Sequence, residues 1–238
     1  MIELLGKFST IHHSKDLIFK GGTALFFFHG LTRFSVDLDF DYIGDLSPRV
    51  LSETLITTLW RSFPDWNIQD DTPENIPVAR FFIDYGWPRK LKVEITWPIC
   101  ESPYEQRQLL AIPVQVMDIE SMFTHKLIAC YSRYEKNQSI ANRDLYDIDF
   151  LFSKNITIDE DIILCRTQKM KIWQMNTYMY ITFLKEFLME HATWIQSDVL
   201  SGIGDLLSSE TEKIELKNHH FSRVIRHLEV YLFTENTE

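Results

Sequence analysis

Residues 36–42, VDLDFDY, alternate apolar and acidic side chains with period two, which predicts a strand with one face turned to a core. Shorter apolar runs at DLIF (16–19) and WNIQ (66–69), with VARFFIDY (78–85) and LKVEITW (91–97), read as further strands. The last two are predicted to form a hairpin across Gly86-Trp87-Pro88-Arg89-Lys90. TALFFFHG (23–30) fits one short buried helix. Ser47-Pro48 marks a helix start, since Ser satisfies free N–H groups and Pro suits the first helical position. Leu51, Leu55 and Leu59 then repeat on one side of that helix.

After IPVQVMD (112–118) the texture changes: no proline occurs from Ile119 onward, and helical periods cover 119–135, 143–153, 159–195 (with a break allowed) and 215–233. The pattern predicts an α+β protein in which a mixed sheet flanked by helices (1–115) is followed by a helical lobe (116–238) that completes a cleft.

Composition narrows the class. The 238 residues are 45% hydrophobic and 13% aromatic, enough for a packed core. A net charge of −10 excludes a broadly basic protein that coats nucleic acid, though not a local basic groove. Cys100, Cys130 and Cys165 match neither a zinc pattern nor a disulfide framework, and three reduced thiols are expected. With no signal-peptide run and no membrane-length apolar stretch, the expected location is cytoplasmic, with no membrane partner.

Candidate chemistry concentrates in residues 20–42. In a strand, Asp37, Asp39 and Asp41 share one face and Leu38, Phe40 and Tyr42 the other. Two carboxylates at ~6 Å repel by roughly 3 kcal/mol at an effective dielectric of ~20, a cost that a divalent cation would offset. Magnesium suits such a pair because it takes hard oxygen ligands, commonly one or two carboxylates plus substrate phosphates. A solvated acidic edge strand is the competing reading. Gly21-Gly22-Thr23 lies just upstream, where backbone N–H groups at a helix start can approach an anion. Glu94 would become a third acid if strand 91–97 pairs with strand 36–42; otherwise it pairs with Lys92 or Lys90 on the surface. Three carboxylates and two metals suit in-line displacement at phosphorus.

Lys126 and Arg133 are seven residues apart on one face of helix 119–135, suited either to a triphosphate or to solvent. Asp144 and Asp147 follow at i, i+3, and one of them would orient Lys126 or Arg133.

These blocks resemble a known family. KGGTAL (20–25), RFSVDLDFDY (33–42), the strand bearing Glu94, THKLIACYSR (124–133) and RDLYDIDFL (143–151) are similar, in order and spacing, to the AbiEii/AbiGii-type toxin nucleotidyltransferases of the DNA polymerase β-like superfamily. The resemblance spans roughly residues 16–152 and fades in the C-terminal helices. It implies that Asp37, Asp39 and Glu94 are catalytic and bind Mg2+ in a two-metal site, with Mn2+ as a substitute. It implies nucleotide contacts from Gly21, Gly22, Thr23, Arg33, Ser35, Lys126, Arg133 and Asp144, with Asp147 competing for the last role. A short segment ahead of Lys20 departs from the pattern and suggests a curtailed upstream helix.

By the same resemblance the chain is a toxin of a toxin–antitoxin pair of the phage-defence type. It would take a nucleoside triphosphate, transfer the nucleotide to RNA, with transfer RNA the favoured acceptor, and have a cognate antitoxin as partner. Transfer onto a protein such as that antitoxin, and a non-enzymatic cation- or partner-binding module, are the alternatives. Late basic residues (Lys213, Lys217, His219, His220, Arg223, Arg226, His227) either face an RNA backbone or form the polar side of an amphipathic helix. A haloacid-dehalogenase phosphatase is set aside, because Asp41 stands where that chemistry needs Thr or Val.

Overall fold

The computed structural model describes residues 1–86, 90–170 and 174–235. Two compact units emerge: Met1–Gly30 with Ser35–Asp118, and Leu31–Phe34 with Ile119–Glu238.

The first unit is a sheet with helices. Its elements are α1 (Ile2–Phe8), β1 (Leu17–Lys20), α2 (Gly21–His29), β2 (Asp37–Tyr42), α3 (Pro48–Ser62), β3 (Asn67–Asp70), β4 (Val78–Asp84), β5 (Leu91–Thr96), β6 (Tyr104–Leu109) and β7 (Ile112–Met117). The strands form one mixed sheet in the order β3-β4-β5-β2-β1-β7-β6. β2 lies parallel to β5 and β1 parallel to β7, while the remaining neighbours are antiparallel. The expected β4–β5 pairing is present, and its turn lies partly outside the described residues. Period-two burial explains the strands: Leu38, Phe40, Phe81, Ile83, Val93 and Ile95 are all buried. On α3, Ser47 accepts from the Val50 N–H at 3.5 Å, and Leu51, Leu55 and Leu59 are fully buried, as their spacing predicts.

Three elements, α1, β6 and β7, fall outside the predicted ones. β6 is a sheet edge whose side chains are mostly exposed, so it shows no apolar alternation. α1 has only seven residues, too few for a period to stand out, yet Leu4, Leu5 and Phe8 are buried.

His29, near the end of α2, is held neutral. Burial lowers its pKa to about 4, Arg107 adding to the effect. The folded pKa lies below the unfolded value of about 6.5, so this contribution to stability is complete above that pH and is lost as pH falls toward 4. Urea titrations across that window should therefore show a decline that His29→Leu flattens; an unchanged slope in the variant would contradict this account.

The second unit contains α4 (Ile119–Asn137), α5 (Asn142–Ser153), α6 (Glu160–Lys169), α7 (Thr177–Glu190), α8 (Ala192–Ser197) and α9 (Glu210–Glu235). The helical pattern over 159–195 resolves into separate helices, with Asn176 capping α7 by accepting from Met179 N–H at 2.9 Å. Phe123, Leu127, Leu145, Ile148, Ile181, Leu184, Val224 and Leu228 form its apolar interior. Tyr180 is fully buried there and donates its hydroxyl to the Leu127 carbonyl at 3.2 Å. Cys130 is a free buried thiol as expected, whereas Cys100 and Cys165 are not free thiols, which corrects the expectation of three. Among the described residues, no helix is long and apolar enough to cross a membrane.

Candidate active site

Strand register assembles one polar face on the sheet. The parallel β2–β5 pairing sets Asp37 beside Lys92, Asp39 beside Glu94 and Asp41 beside Thr96. Antiparallel pairing adds Lys20 of β1 opposite Asp39, and Arg80 of β4 opposite Glu94. Directly opposed residues share a face, so four acids meet three cations.

Most of these charges are matched. Lys20 Nζ is 2.5 Å from Asp41 Oδ1 and donates to Thr96 Oγ1 at 2.9 Å, while Thr96 donates to Asp41 at 2.7 Å. Arg80 Nε donates to Glu94 Oε2 at 2.9 Å. Lys92 Nζ stands 3.7 Å from both Asp37 Oδ2 and Glu94 Oε2. Asp39 differs: its carboxylate forms no ion pair with another described residue. Burial pushes the Asp39 carboxyl above the usual range; Lys92 opposes the shift, and Asp37 and Glu94 add to it.

Gly21 makes room for that carboxyl. Its φ is +79°, and a Cβ there would sit 2.7 Å from Asp39 Oδ2. Only glycine meets both demands at the start of α2. Thr23, expected among the anion contacts, is instead fully buried, and its hydroxyl donates to the Asp37 carbonyl, fastening α2 to β2. Gly22 is buried and Ser35 partly exposed.

These donors fit a hard divalent cation at Asp37 and Asp39. The acids are adjacent on one face, and Asp39, without an ion pair to another described residue, lies in a cradle that a Cβ would fill. Glu94 fits less directly, since Arg80 already holds one of its oxygens. Among the described residues, no group of three or more acidic, His or Cys side chains has metal-ligating spacing.

The helical unit carries a second charged cluster. Arg33, only 2% exposed, donates from Nε and Nη2 to the two oxygens of Asp147, each at 2.7 Å. Lys126 Nζ sits 2.8 Å from both Asp144 Oδ1 and Asp147 Oδ2, and Arg133 Nε 2.8 Å from Asp144 Oδ2. Burial works to raise the Asp144 carboxyl, but Lys126 and Arg133 outweigh it and leave the pKa lowered. Burial likewise works to lower Lys126, and Asp144 with Asp147 reverses the sign. Both acids therefore orient cations. Arg33 is committed to Asp147 through both arms of its fork, while the Arg133 side chain is 42% exposed.

The late basic residues do not form one free surface. Arg223 is bound to Asp149 and Glu215, Lys213 to Glu210, and His220 is buried; Lys217, His219 and Arg226 are exposed. Sequence reasoning named Lys92 only as a rival partner for Glu94 and missed Arg80 altogether. Lys92 shares the i, i+2 face of Glu94, a readable signal; Arg80 becomes visible only once β4 and β5 are in register.

The model of the family "Nucleotidyl transferase AbiEii toxin, Type IV TA system" matches residues 3–171. The chain belongs to this family. It is a nucleotidyltransferase toxin of a type IV toxin–antitoxin system, and the match extends beyond the 16–152 span of the sequence motifs. No curated protein matches. Among solved structures, JHP933 from Helicobacter pylori aligns with TM-score 0.54 and 20% identity over 99% of this chain and 94% of its own. A second Helicobacter pylori structure gives TM-score 0.52 and 20% identity over 97% and 94% of the two chains. MenT4, a nucleotidyltransferase toxin from Mycobacterium tuberculosis, gives 0.47 and 16% over 93% and 80%. At 20% identity, the two Helicobacter structures show that this AbiEii-family chain shares their fold, through the C-terminal helices that the family model leaves out.

Proposed function

We propose that this toxin is a Mg2+-dependent enzyme that transfers a nucleoside monophosphate from a nucleoside triphosphate to RNA, with transfer RNA as the acceptor, in the cytoplasm. The observation that carries the chemistry is the Asp39 carboxyl, only partly compensated by nearby lysines, lying against Gly21, beside Asp37 on β2. The acceptor class rests on the family resemblance of the motifs.

In the reaction, an acceptor hydroxyl oxygen bonds to the α-phosphorus, the bond from that phosphorus to the pyrophosphate oxygen breaks, and pyrophosphate leaves. Bound divalent metal would supply charge neutralisation of the triphosphate and activation of the hydroxyl. Asp37 and Asp39 are the residues to hold it. Backbone N–H groups of Gly21 and Gly22 at the start of α2 suit a phosphate oxygen. Glu94, with one oxygen held by Arg80, would take the proton that the acceptor hydroxyl loses. Within the helical unit, Arg133 is the cation most open to phosphate, and Lys126 is held in place by two carboxylates.

The test incubates purified protein with each labelled nucleoside triphosphate, Mg2+ and total RNA, then separates RNA from protein. Label should enter transfer RNA, require Mg2+ and disappear in Asp39→Asn. Label confined to protein would replace the acceptor assignment, and no label with any nucleotide would overturn the reading.

A further inference from the structure

We propose that Lys92 is a resident counter-cation of the acidic face, which gives way to the divalent metal and then binds the triphosphate. This rests on the assignment of metal to Asp37 and Asp39 and adds a residue to which the family resemblance assigns no role. The other cations are locked by short hydrogen bonds: Lys20 to Asp41 and Thr96, Arg80 to Glu94. Lys92 is held otherwise. Its ammonium lies 3.7 Å from Asp37 and from Glu94, beyond hydrogen-bond range of both, and its side chain is 25% exposed.

That geometry fits a charge that must move. A tightly bonded lysine would compete with a metal permanently, whereas without Lys92 the acids of this face would repel one another more strongly in the metal-free protein. An ammonium on a flexible stem, spanning two acids without being fixed to either, relieves the repulsion and can swing away. Asp37 is the acid common to both states, a ligand for the metal and a neighbour of Lys92. Once displaced, the ammonium stays tethered to this face, where a bound triphosphate would bring its negative charge.

The test measures Mn2+ binding by paramagnetic resonance and thermal melting, with wild type, Lys92→Met, Lys92→Arg and Asp39→Asn. Lys92→Met should bind Mn2+ alone about tenfold more tightly than wild type. Its affinity for a nucleoside triphosphate with Mn2+ should fall about tenfold. Its melting temperature should become strongly Mn2+-dependent where that of the wild type is less so. Lys92→Arg should restore the wild-type values in part. Mn2+ binding that Asp39→Asn abolishes but Lys92→Met leaves unchanged or weakens would overturn the role of Lys92 alone. Absence of any Mn2+ binding sensitive to Asp39→Asn would overturn the metal assignment, and Lys92's role with it.

Discussion

Asp39→Asn should abolish nucleotidyl transfer while making the protein harder to melt. The two effects share one cause. Burial and the neighbouring acids Asp37 and Glu94 hold the Asp39 pKa above its unfolded value, Lys92 opposing them only in part. A carboxyl raised in this way favours folding while protonated, below its unfolded pKa, and that contribution is lost as pH rises through the folded pKa. At neutral pH the charged form therefore costs stability. Asparagine keeps the shape, still fits beside Gly21 and removes the charge. A rise of about 2–4 °C in Tm would correspond to a gain of ~1 kcal/mol for a chain of this size. The accompanying loss of activity should be at least ~100-fold, the scale expected when a metal-binding or charge-stabilising group is removed. Melting and labelling assays on one preparation check both halves; a variant that is less stable than wild type would refute the electrostatic account of Asp39.

The second large effect belongs to the helical unit. Asp147→Ala should destabilise that unit severely, because it strands Arg33, which is 2% exposed, and takes one of two carboxylates from Lys126. Removing one partner of a buried pair typically costs about 3–5 kcal/mol, since the remaining charge stays away from water without compensation. For a chain of this length a fall of about 10 °C in Tm follows. The discriminating experiment is a double-mutant cycle: Arg33→Met combined with Asp147→Leu should lose much less than Asp147→Ala alone, because both charges disappear together. If the losses simply add, the pair contributes no coupling and the network is not what holds this unit together. Acid sensitivity supplies an independent check. Asp144 has its pKa lowered, so its stabilising contribution is present above the unfolded carboxylate range and is lost as pH falls through the folded value. This sign is the reverse of that at Asp39, so Asp144→Asn and Asp39→Asn should shift the acid-unfolding curve in opposite directions.

Much of the fold could be read from side-chain periodicity. Alternation over 36–42 requires a strand because Leu38, Phe40 and Tyr42 are buried while Asp37 and Asp39 keep some access to solvent. Ser47-Pro48 and the Leu51-Leu55-Leu59 series define α3 because capping and one-sided burial are local events. β6 escaped because an edge strand need not bury an apolar side. The motifs were visible for a similar reason: glycine at a position with φ +79° and acids at alternate strand positions obey local backbone rules.

The amino-acid order by itself determined most of the strands and helices, that Asp37 and Asp39 share a strand face, and that glycines precede them. Periodicity and backbone preference act over a few residues and need no knowledge of distant chain. Tertiary structure alone decided the partners: Glu94 beside Asp39, Arg80 on Glu94, Thr23 on the β2 backbone and Arg33 on Asp147. Arg33 and Asp147 are 114 positions apart, and Thr96 lies 76 from Lys20. Whether a charged side chain meets substrate or another side chain depends on strand register and helix packing, and these are settled by the burial of the whole core rather than by any one segment.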